Sequence, residues 1–479
     1  MNIKKVLWMN FCLLIICLAG HSQDSTKIVT LSLKEAVDIA LKNSLEIKQS
    51  DLISQRAGVN FKQSKWDLVP NLNGAVNHSS NQGRSIDNFT NSYIDQTAQF
   101  ADYSLSSGVA LFNGFVLMNT LKQNSLAFDA SKKELQQAKD NLMINVILTY
   151  LQILQNQDQL TQAENQLSVT KQQVERLEIM NKDGAIAPSL LFDLKGQMAG
   201  DELSVINARN SLEISKLTLS QQMNITYNKG MQVERLTAEQ MPVSYEGDVD
   251  KIYQIAIEQL SLVKAAELRT ESADRGVKAA RGTLYPSLRL SGGINTNYSS
   301  VATRAIFLSS ADVPNGDYVN FGSGKVPVFT TRDNFRPEKI GYTDQLKNNY
   351  STSIRLGLSI PLLNSFVARN RIAFAKIDLK AAQYAEETTK IRLKQQIEQA
   401  YFNMMAAFSR YTASVQQVAA FQESFRAAEV RFNAGASTSV EYLNSKNFLD
   451  RANISLIIAR YDYILRTKVL DYYQAKPLW

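Results

Sequence analysis

Apolar and polar residues alternate in four short segments of the chain, at 71–81, 100–112, 287–298 and 350–361. In each segment one face carries mainly leucine, valine, isoleucine or tyrosine, and the other carries small or polar residues. A period of two over about ten residues is typical of strands in a transmembrane β-barrel. A soluble hairpin that covers a hydrophobic core has the same alternation, so that interpretation stays open for a single pair of strands.

A helical period governs the stretches that follow each strand pair. Apolar residues take heptad spacing at 115–182 and again at 366–433, and no proline interrupts either stretch. This period predicts helices packed at shallow left-handed angles, and each would be about 100 Å long at 1.5 Å per residue. Two further stretches, 188–222 and 438–473, predict return helices. The seam of the second long helix includes Ile397, Ala400, Met404 and Ala407.

The same order of elements occurs twice, which indicates an internal duplication. Residues 36–72 align without gaps on 252–288, an offset of 216, and later segments align at an offset of 251. The second copy therefore carries extra residues between its two aligned blocks. Aligned pairs in the second block include Asn113 and Asn364, Gly184 and Gly435, and Lys195 and Lys446.

This order divides the chain into four parts. Residues 1–22 combine two lysines with a mostly apolar stretch too short for a usual membrane-spanning helix, which predicts a secretory signal peptide. Each repeat then has the order helix, two strands, long helix and return helix. The first repeat covers 23–222, an equatorial linker covers 223–249, and the second repeat covers 250–479.

Breakers of regular structure and reactive side chains are both scarce. Glycine and proline number 21 and 9 in 479 residues, about half of the usual share, which agrees with long uninterrupted elements. Cys12, Cys17 and His21 lie in the predicted signal peptide, so the mature chain would keep only His78. That composition excludes disulfides, thiol catalysis and zinc sites built on Cys and His. We therefore predict that the protein is not an enzyme and has no catalytic residue, cofactor or metal site.

Four strands cannot enter a bilayer as an open sheet, because each unpaired edge group exposed to lipid costs several kcal/mol. The smallest bacterial barrels close with eight strands, so several copies of the chain must contribute to one barrel. An apolar outer face and a small, polar inner face describe a water-filled pore. Arg289 and Arg355 fall on the predicted lumen face, where they either bias the charge of passing solutes or are simply solvated.

Each long helix ends in a glycine-containing tip, at 181–188 and 433–439. Gly184 and Gly435 suit the left-handed position just after a helix. Pro188 and Ser437 suit the start of the return helices.

The duplicated order of elements, the segment Phe112-Asn113-Gly114-Phe115 that enters the first long helix, and the tips together resemble the TolC-like outer membrane efflux proteins. The resemblance extends over about residues 30–473, nearly the whole mature chain. The C-terminal residues 473–478 are similar to the endings of family members from Bacteroidetes.

The resemblance implies an α+β membrane protein in which three chains form one 12-stranded β-barrel, continued by a long α-helical coiled-coil barrel. It implies the outer membrane channel of a tripartite efflux or type I secretion system, with a large periplasmic portion. The implied partners are two further copies of the chain, a periplasmic adaptor, an inner-membrane pump of the RND or ABC type and outer membrane lipid. No nucleic-acid partner is expected, because the net charge of +7 is spread without dense basic runs. The cargo, whether drug, metal, bile acid or protein, is left open.

The family pattern also implies a periplasmic gate at the tips. An acidic residue six positions after the second tip glycine is Glu441, but the acid often found three positions later is replaced by Asn444. In the first repeat the corresponding positions hold Leu190 and Asp193, so the gate is only partly reproduced. Glu441 is either a pore-lining charge or a solvated helix residue. The tip turns that would also form the adaptor-docking surface are Gly184, Pro188, Gly435 and Ser437.

A periplasmic coiled-coil adaptor or scaffold protein is the alternative function. Such a protein would have one helical hairpin flanked by compact β-domains, whereas this chain alternates two helical hairpins with two strand pairs.

Two local expectations complete the prediction. Residues 299–349 are expected to form an exposed loop, and Trp66 is expected either near the membrane interface or in helix packing.

Overall fold

The structure of the protein is a computed structural model. It describes residues 29–87, 92–95, 97–235, 245 and 247–478. The predicted signal peptide and part of the equatorial linker therefore lie outside the described residues.

The described residues form nine helices, and the lengths of the longest ones repeat. The two long helices have 67 residues each and the two return helices have 35 each, as expected of a duplication. No helix in this part of the chain combines the length and the apolar composition needed to cross a membrane. The helices are α1 Leu33–Asn43, α2 Leu45–Trp66, α3 Val116–Lys182, α4 Pro188–Gln222, α5 Val249–Gln259, α6 Ser261–Gly282, α7 Tyr342–Asn348, α8 Val367–Asn433 and α9 Ser439–Tyr473.

Ten strands occur in the same residues and form four separate sheets. One sheet has four strands in the order β10-β7-β5-β2, and the others have two each. The strands are β1 Val29–Leu31, β2 Asn71–Asn81, β3 Arg84–Asp87, β4 Ser92–Asp95, β5 Ala98–Asn113, β6 Met231–Val233, β7 Ser287–Ser299, β8 Thr303–Phe321, β9 Gly324–Lys339 and β10 Ser351–Ser359.

Contacts within the chain divide it into two compact units, and each unit draws segments from both repeats. One, which we call the helical unit, comprises Leu126–Thr270, Ala381–Trp479 and the described part of Met1–Gly58. The other, which we call the strand unit, comprises Val59–Ser125 and Glu271–Lys380. The compact units therefore do not coincide with the sequence repeats.

The described residues of the helical unit contain three hydrophobic clusters, of which the first two are the largest. In the first, Ala36 and Ala40 of α1 pack with Val146 and Ile153 of α3. The hydroxyl of Tyr150 donates hydrogen bonds to the carbonyl oxygens of Leu31, at 2.9 Å, and Glu234, at 2.8 Å, and so holds the parallel β1–β6 pair against this core. In the second core the first part of the predicted heptad seam is confirmed, because Ile397, Ala400, Met404 and Ala407 are all buried against α5 and α9.

The strand unit is built around the four-stranded sheet, in which every pair is antiparallel. The central pair, β5 and β7, joins the two repeats, and β2 and β10 form the edges. Trp66, the last residue of α2, is mostly exposed and does not pack among the helices of this chain. A position near the membrane interface stays a prediction for Trp66.

The expectation of a loop over residues 299–349 is wrong. Strands β8 and β9 form a long antiparallel hairpin, and α7 follows it. Pro314, Pro327 and Pro337 lie in this hairpin. They are compatible with it because each strand has a free edge, where a missing N–H is tolerated. The base of the hairpin is fixed by buried Gln345, whose amide donates to the carbonyl oxygens of Ser299 and Ile340, at 2.9 Å each.

Candidate functional site: the faces of the sheet and the helical tips

The register of the four-stranded sheet assigns each residue to one of two faces, because directly opposite residues in neighbouring strands share a face. One row across all four strands holds Asn73, Ser106, Gly293 and Ser353. The next row, on the opposite face, holds Gly74, Leu105, Ile294 and Thr352. The alternation seen in each separate segment is therefore in phase across the whole sheet.

The face that contains Ser106 is mainly small and polar, and we call it the polar face. It carries two arginines, an aspartate and one large apolar side chain, Phe100, in the row Ser79–Phe100–Ser299 near one end of the sheet. Its other members are Asn71, Asn73, Ala75, Asn77, Asn81, Ala98, Asp102, Ser104, Ser106, Gly108, Ala110, Asn113, Ser287, Arg289, Ser291, Gly293, Asn295, Asn297, Ser351, Ser353, Arg355, Gly357 and Ser359.

The opposite face, which we call the apolar face, leaves large hydrophobic side chains uncovered within the chain. Ile354 is 87% exposed and Leu72 is 69% exposed. A contiguous apolar surface of this kind marks contact with a membrane or a partner. Its other large apolar members are Val76, Tyr103, Leu105, Val109, Phe112, Leu288, Leu290, Ile294, Tyr298, Leu356 and Leu358.

Both predicted lumen arginines lie on the polar face. Arg355 is opposite Ser291, and Arg289 is opposite Gly357. A Cβ atom at Gly108 would lie 3.1 Å from the Arg289 guanidinium, so the glycine leaves room for this side chain to lie across β5. An influence of the two arginines on solute charge stays a prediction.

The two tips in the helical unit have the same backbone geometry. Gly184 and Gly435 have φ of 71° and 73°, so the left-handed conformation predicted for both is confirmed. The N–H groups of Gly184 and Ala185 donate to the carbonyl oxygens of Asn181, at 3.1 Å, and Met180, at 2.8 Å. Gly435 and the residue after it repeat this pattern, which is the Schellman ending that caps a helix C-terminus.

The return helices begin differently. Pro188 is the first residue of α4, where its fixed φ is compatible with a helix and no N–H is needed. In the second repeat Thr438, rather than Ser437, is the N-cap, and its hydroxyl accepts a hydrogen bond from the N–H of Glu441 at 3.3 Å. Ser437 precedes this cap, and its hydroxyl oxygen is buried without a hydrogen-bond partner.

The predicted gate residues make local contacts near the tips. The carboxylate of Glu441 lies 2.6 Å from the guanidinium of Arg431, and both side chains are exposed. Asp193 accepts a hydrogen bond from the hydroxyl of Ser439 at 3.1 Å, which links the two repeats. Asn444 is exposed. The assignment of Glu441, Asn444 and Asp193 to a gate stays a prediction, as does adaptor docking at the tip turns.

An apolar cluster surrounds Tyr442 close to these residues. Its ring stacks on Phe432 at 4.6 Å between centroids and tilts against Phe425 at 5.5 Å. Burial raises the pKa of Tyr442 above its ordinary value, and its hydroxyl finds no hydrogen-bond partner among the described residues.

A buried charged network in the helical unit was missed in the sequence. Lys446 of α9 is 3% exposed, and its Nζ lies 2.7 Å from the carboxylate of Asp450 and 3.2 Å from that of Asp201 in α4. Asp201 also accepts hydrogen bonds from the hydroxyl of Thr170 in α3 and from the amide of Gln197. Burial raises the pKa of Asp450, and the nearby Lys446 opposes that shift.

The network joins three helices from the two repeats. The spacing of Lys446 and Asp450 is the i, i+4 signal of a helical ion pair, which the sequence contains. Asp201 lies 245 residues away from Lys446, so periodicity alone could not have paired them. In the part of the chain that the structure describes, no group of three or more His, Cys, Asp or Glu side chains is arranged to hold a metal ion.

Comparison with known proteins agrees with these features. Toxin and drug export protein A of Aggregatibacter actinomycetemcomitans is 21% identical over 456 residues, which are 93% of this chain and 87% of that protein. Outer membrane protein TolC of Vibrio cholerae is 24% identical over 413 residues, 84% of this chain and 81% of that protein. The solved structure of CusC has a TM-score of 0.75 at 16% identity and covers 96% of both chains.

A family model described as outer membrane efflux protein matches two segments, residues 36–224 and 252–470. The matched segments include most of both repeats and exclude the ends of the chain and nearly all of the linker. This chain therefore belongs to the outer membrane efflux protein family.

Proposed function

We propose that three copies of this chain form a channel through the outer membrane, the exit duct of a tripartite efflux or type I secretion system. Membership of the family makes the chain an outer membrane efflux protein. The trimer, the single 12-stranded barrel and the tripartite partners are our proposal. The observation that carries it is the sheet, which separates a polar face from an apolar face and whose two edge strands pair with no further strand among the described residues.

The topology of the sheet supports closure by further copies. All neighbours in the order β10-β7-β5-β2 are antiparallel, so β10 and β2 run in opposite directions. In a cyclic assembly, β2 of one copy and β10 of the next would therefore also meet as an antiparallel pair. Closure in this way removes every free edge, as a spanning barrel requires. The apolar face then contacts lipid and the polar face lines the pore.

The remaining components follow from the duct. The helical tips would meet a periplasmic adaptor and an inner-membrane pump of the RND or ABC type, which supplies the energy. The duct itself performs no chemistry. The name of one similar protein, toxin and drug export protein A, supports export of a toxin or a drug as the class of activity.

Gene deletion tests the proposed activity. The deletion strain should become more susceptible to several drugs, metals or bile acids, or should lose a secreted protein, and the wild-type gene should restore the phenotype. Extraction of the protein from cells with and without detergent distinguishes the channel from the alternative, a periplasmic adaptor or scaffold. A protein released from the periplasm without detergent, together with an unchanged deletion strain, would contradict the channel.

Replacement of Glu441 tests the predicted gate. Glu441→Gln should weaken the block of single-channel current by divalent cations, because the carboxylate that would attract the cation is removed. A matched control is Glu423→Gln, which removes another exposed glutamate that pairs with an arginine, Arg426. The control should leave the block unchanged. An unchanged block in Glu441→Gln would remove the assigned role.

A further inference from the structure

The β8–β9 hairpin leaves both of its faces exposed, which is unusual for a two-stranded hairpin. Its strands have 19 and 16 residues and pair with no third strand in the part of the chain that the structure describes. An isolated two-stranded hairpin is marginally stable in water and normally packs against something else. The two faces can be assigned from the register, and they differ in charge.

One face, which we call the aromatic face, carries two apolar patches with acids between them. The rings of Phe307 and Phe335 are in edge contact, 6.0 Å apart between centroids. Asp312 accepts a hydrogen bond from the hydroxyl of Thr331 at 2.7 Å, which places both side chains on this face. The rows of the aromatic face are Thr303–Lys339, Ala305–Pro337, Phe307–Phe335, Ser310–Asp333, Asp312–Thr331, Pro314–Phe329, Tyr318–Pro327 and Asn320–Lys325, so its two acids lie in the middle and a lysine lies towards each end.

The other face, which we call the basic face, carries mainly aliphatic side chains and three arginines. Arg304 already pairs with Glu338, at 2.7 Å. Arg332 and Arg336 have no carboxylate within 4.0 Å among the described residues, so their charges are available to a partner. The rows of the basic face are Arg304–Glu338, Ile306–Arg336, Ser309–Asn334, Ala311–Arg332, Val313–Thr330, Val319–Val326 and Phe321–Gly324.

Groups of opposite charge on the two faces lie at nearly the same position along the hairpin axis, which we call their height, and so do the apolar groups. The row that holds Arg332 lies between the rows of Asp333 and Asp312 on the other face. The aliphatic rows of Val313 and Val319 lie at the level of Phe329 and Tyr318. In a cyclic assembly whose axis runs along the hairpin, every copy keeps the same height, so each residue meets residues of equal height in its neighbour. Such charge complementarity determines which surfaces pair and in which register.

We propose that the aromatic face of one copy packs against the basic face of the next, so that the hairpins form a closed collar. Arg332 of one copy then lies between Asp312 and Asp333 of its neighbour. The proposal rests on the proposed homotrimer, and it adds an interface outside the four-stranded sheet. Lipid tails are a poor alternative occupant, because Asp312 and Asp333 lie in the middle of the aromatic face.

Disulfide cross-linking tests the collar in the full chain. The mature chain is expected to lack cysteine, so a variant with both Arg332→Cys and Asp312→Cys introduces the only thiols. These two positions lie on opposite faces of one hairpin, and a disulfide between them must therefore join two copies. The matched control combines Arg336→Cys with Asp312→Cys, because Arg336 lies at a different height.

After mild oxidation of the detergent-extracted protein, the first variant should run as a covalent trimer on a non-reducing gel, and the control should remain monomeric. The mass of the native particle is measured in parallel. A native trimer without cross-links, as for a face covered by lipid or another protein, overturns the collar but leaves the channel intact. Equal cross-linking of the control also overturns it. A native monomer overturns the proposed channel and the collar together.

Discussion

Lys446→Met is expected to destabilise the helical unit by about 3–5 kcal/mol, because it leaves the buried carboxylates of Asp201 and Asp450 without their cation. The ammonium group of Lys446 lies within 3.2 Å of both carboxylates, and its side chain is almost fully buried. Methionine fills a similar volume, so lost packing contributes little to the effect. Chemical unfolding in detergent, followed by the helical circular dichroism signal, measures the loss.

The internal duplication provides a matched control for this substitution. Lys195 occupies the aligned position in the first repeat, where it pairs with Glu178 at 2.7 Å, but both side chains are well exposed. An exposed ion pair contributes at most about 1 kcal/mol, so Lys195→Met should change stability only slightly. Equal losses in the two variants would mean that the buried network does not stabilise the helical unit.

Gly114→Ala is expected to destabilise the strand unit by about 2–5 kcal/mol, the sum of left-handed strain and a steric overlap. Gly114 lies between β5 and α3 with φ of 66°, and an added Cβ atom would lie 2.1 Å from the carbonyl oxygen of Gly282. That oxygen belongs to the backbone at the end of α6, so it cannot move aside as a flexible side chain would. The midpoint of thermal unfolding in detergent measures the effect.

The aligned position in the second repeat is the control for Gly114. Ser365 already adopts a left-handed conformation, with φ of 52°, although it carries a Cβ atom. Ser365→Ala adds no atom to the backbone environment and should change stability by less than about 0.5 kcal/mol. If Gly114→Ala unfolds at the same midpoint as Ser365→Ala, the close approach to Gly282 is not a constraint on the fold.

Much of the fold could be predicted from periodicity. A strand with one apolar and one polar face shows its period in the sequence, and the four alternating segments are strands in the structure. The heptad seam of α8 is buried as predicted at Ile397 and Met404. Periodicity identifies a buried face but not its neighbour, so the central pairing of β5 with β7 could not be derived in this way.

The β8–β9 hairpin shows where such reasoning fails. Register shifts after Phe307 and after Pro314 break its alternation, so no uninterrupted period of two extends along either strand. The buried network fails for another reason, since Lys446 and Asp201 come together only through tertiary packing. The turns at Gly184 and Gly435 were predictable, because the left-handed backbone conformation favours glycine whatever the rest of the fold. Glu441 could be selected only by resemblance, and its role as a gate remains a prediction.

Whether the polar face of the sheet lines a water-filled pore is tested by the single-channel current of Ser106→Cys and Leu105→Cys proteins in a planar bilayer, before and after a charged, water-soluble thiol reagent is added. Ser106 and Leu105 are neighbours on opposite faces of β5. If the polar face lines the pore, the reagent should reduce the current of Ser106→Cys and leave that of Leu105→Cys unchanged. A reduced current in Leu105→Cys with no effect in Ser106→Cys would contradict a pore lined by the polar face.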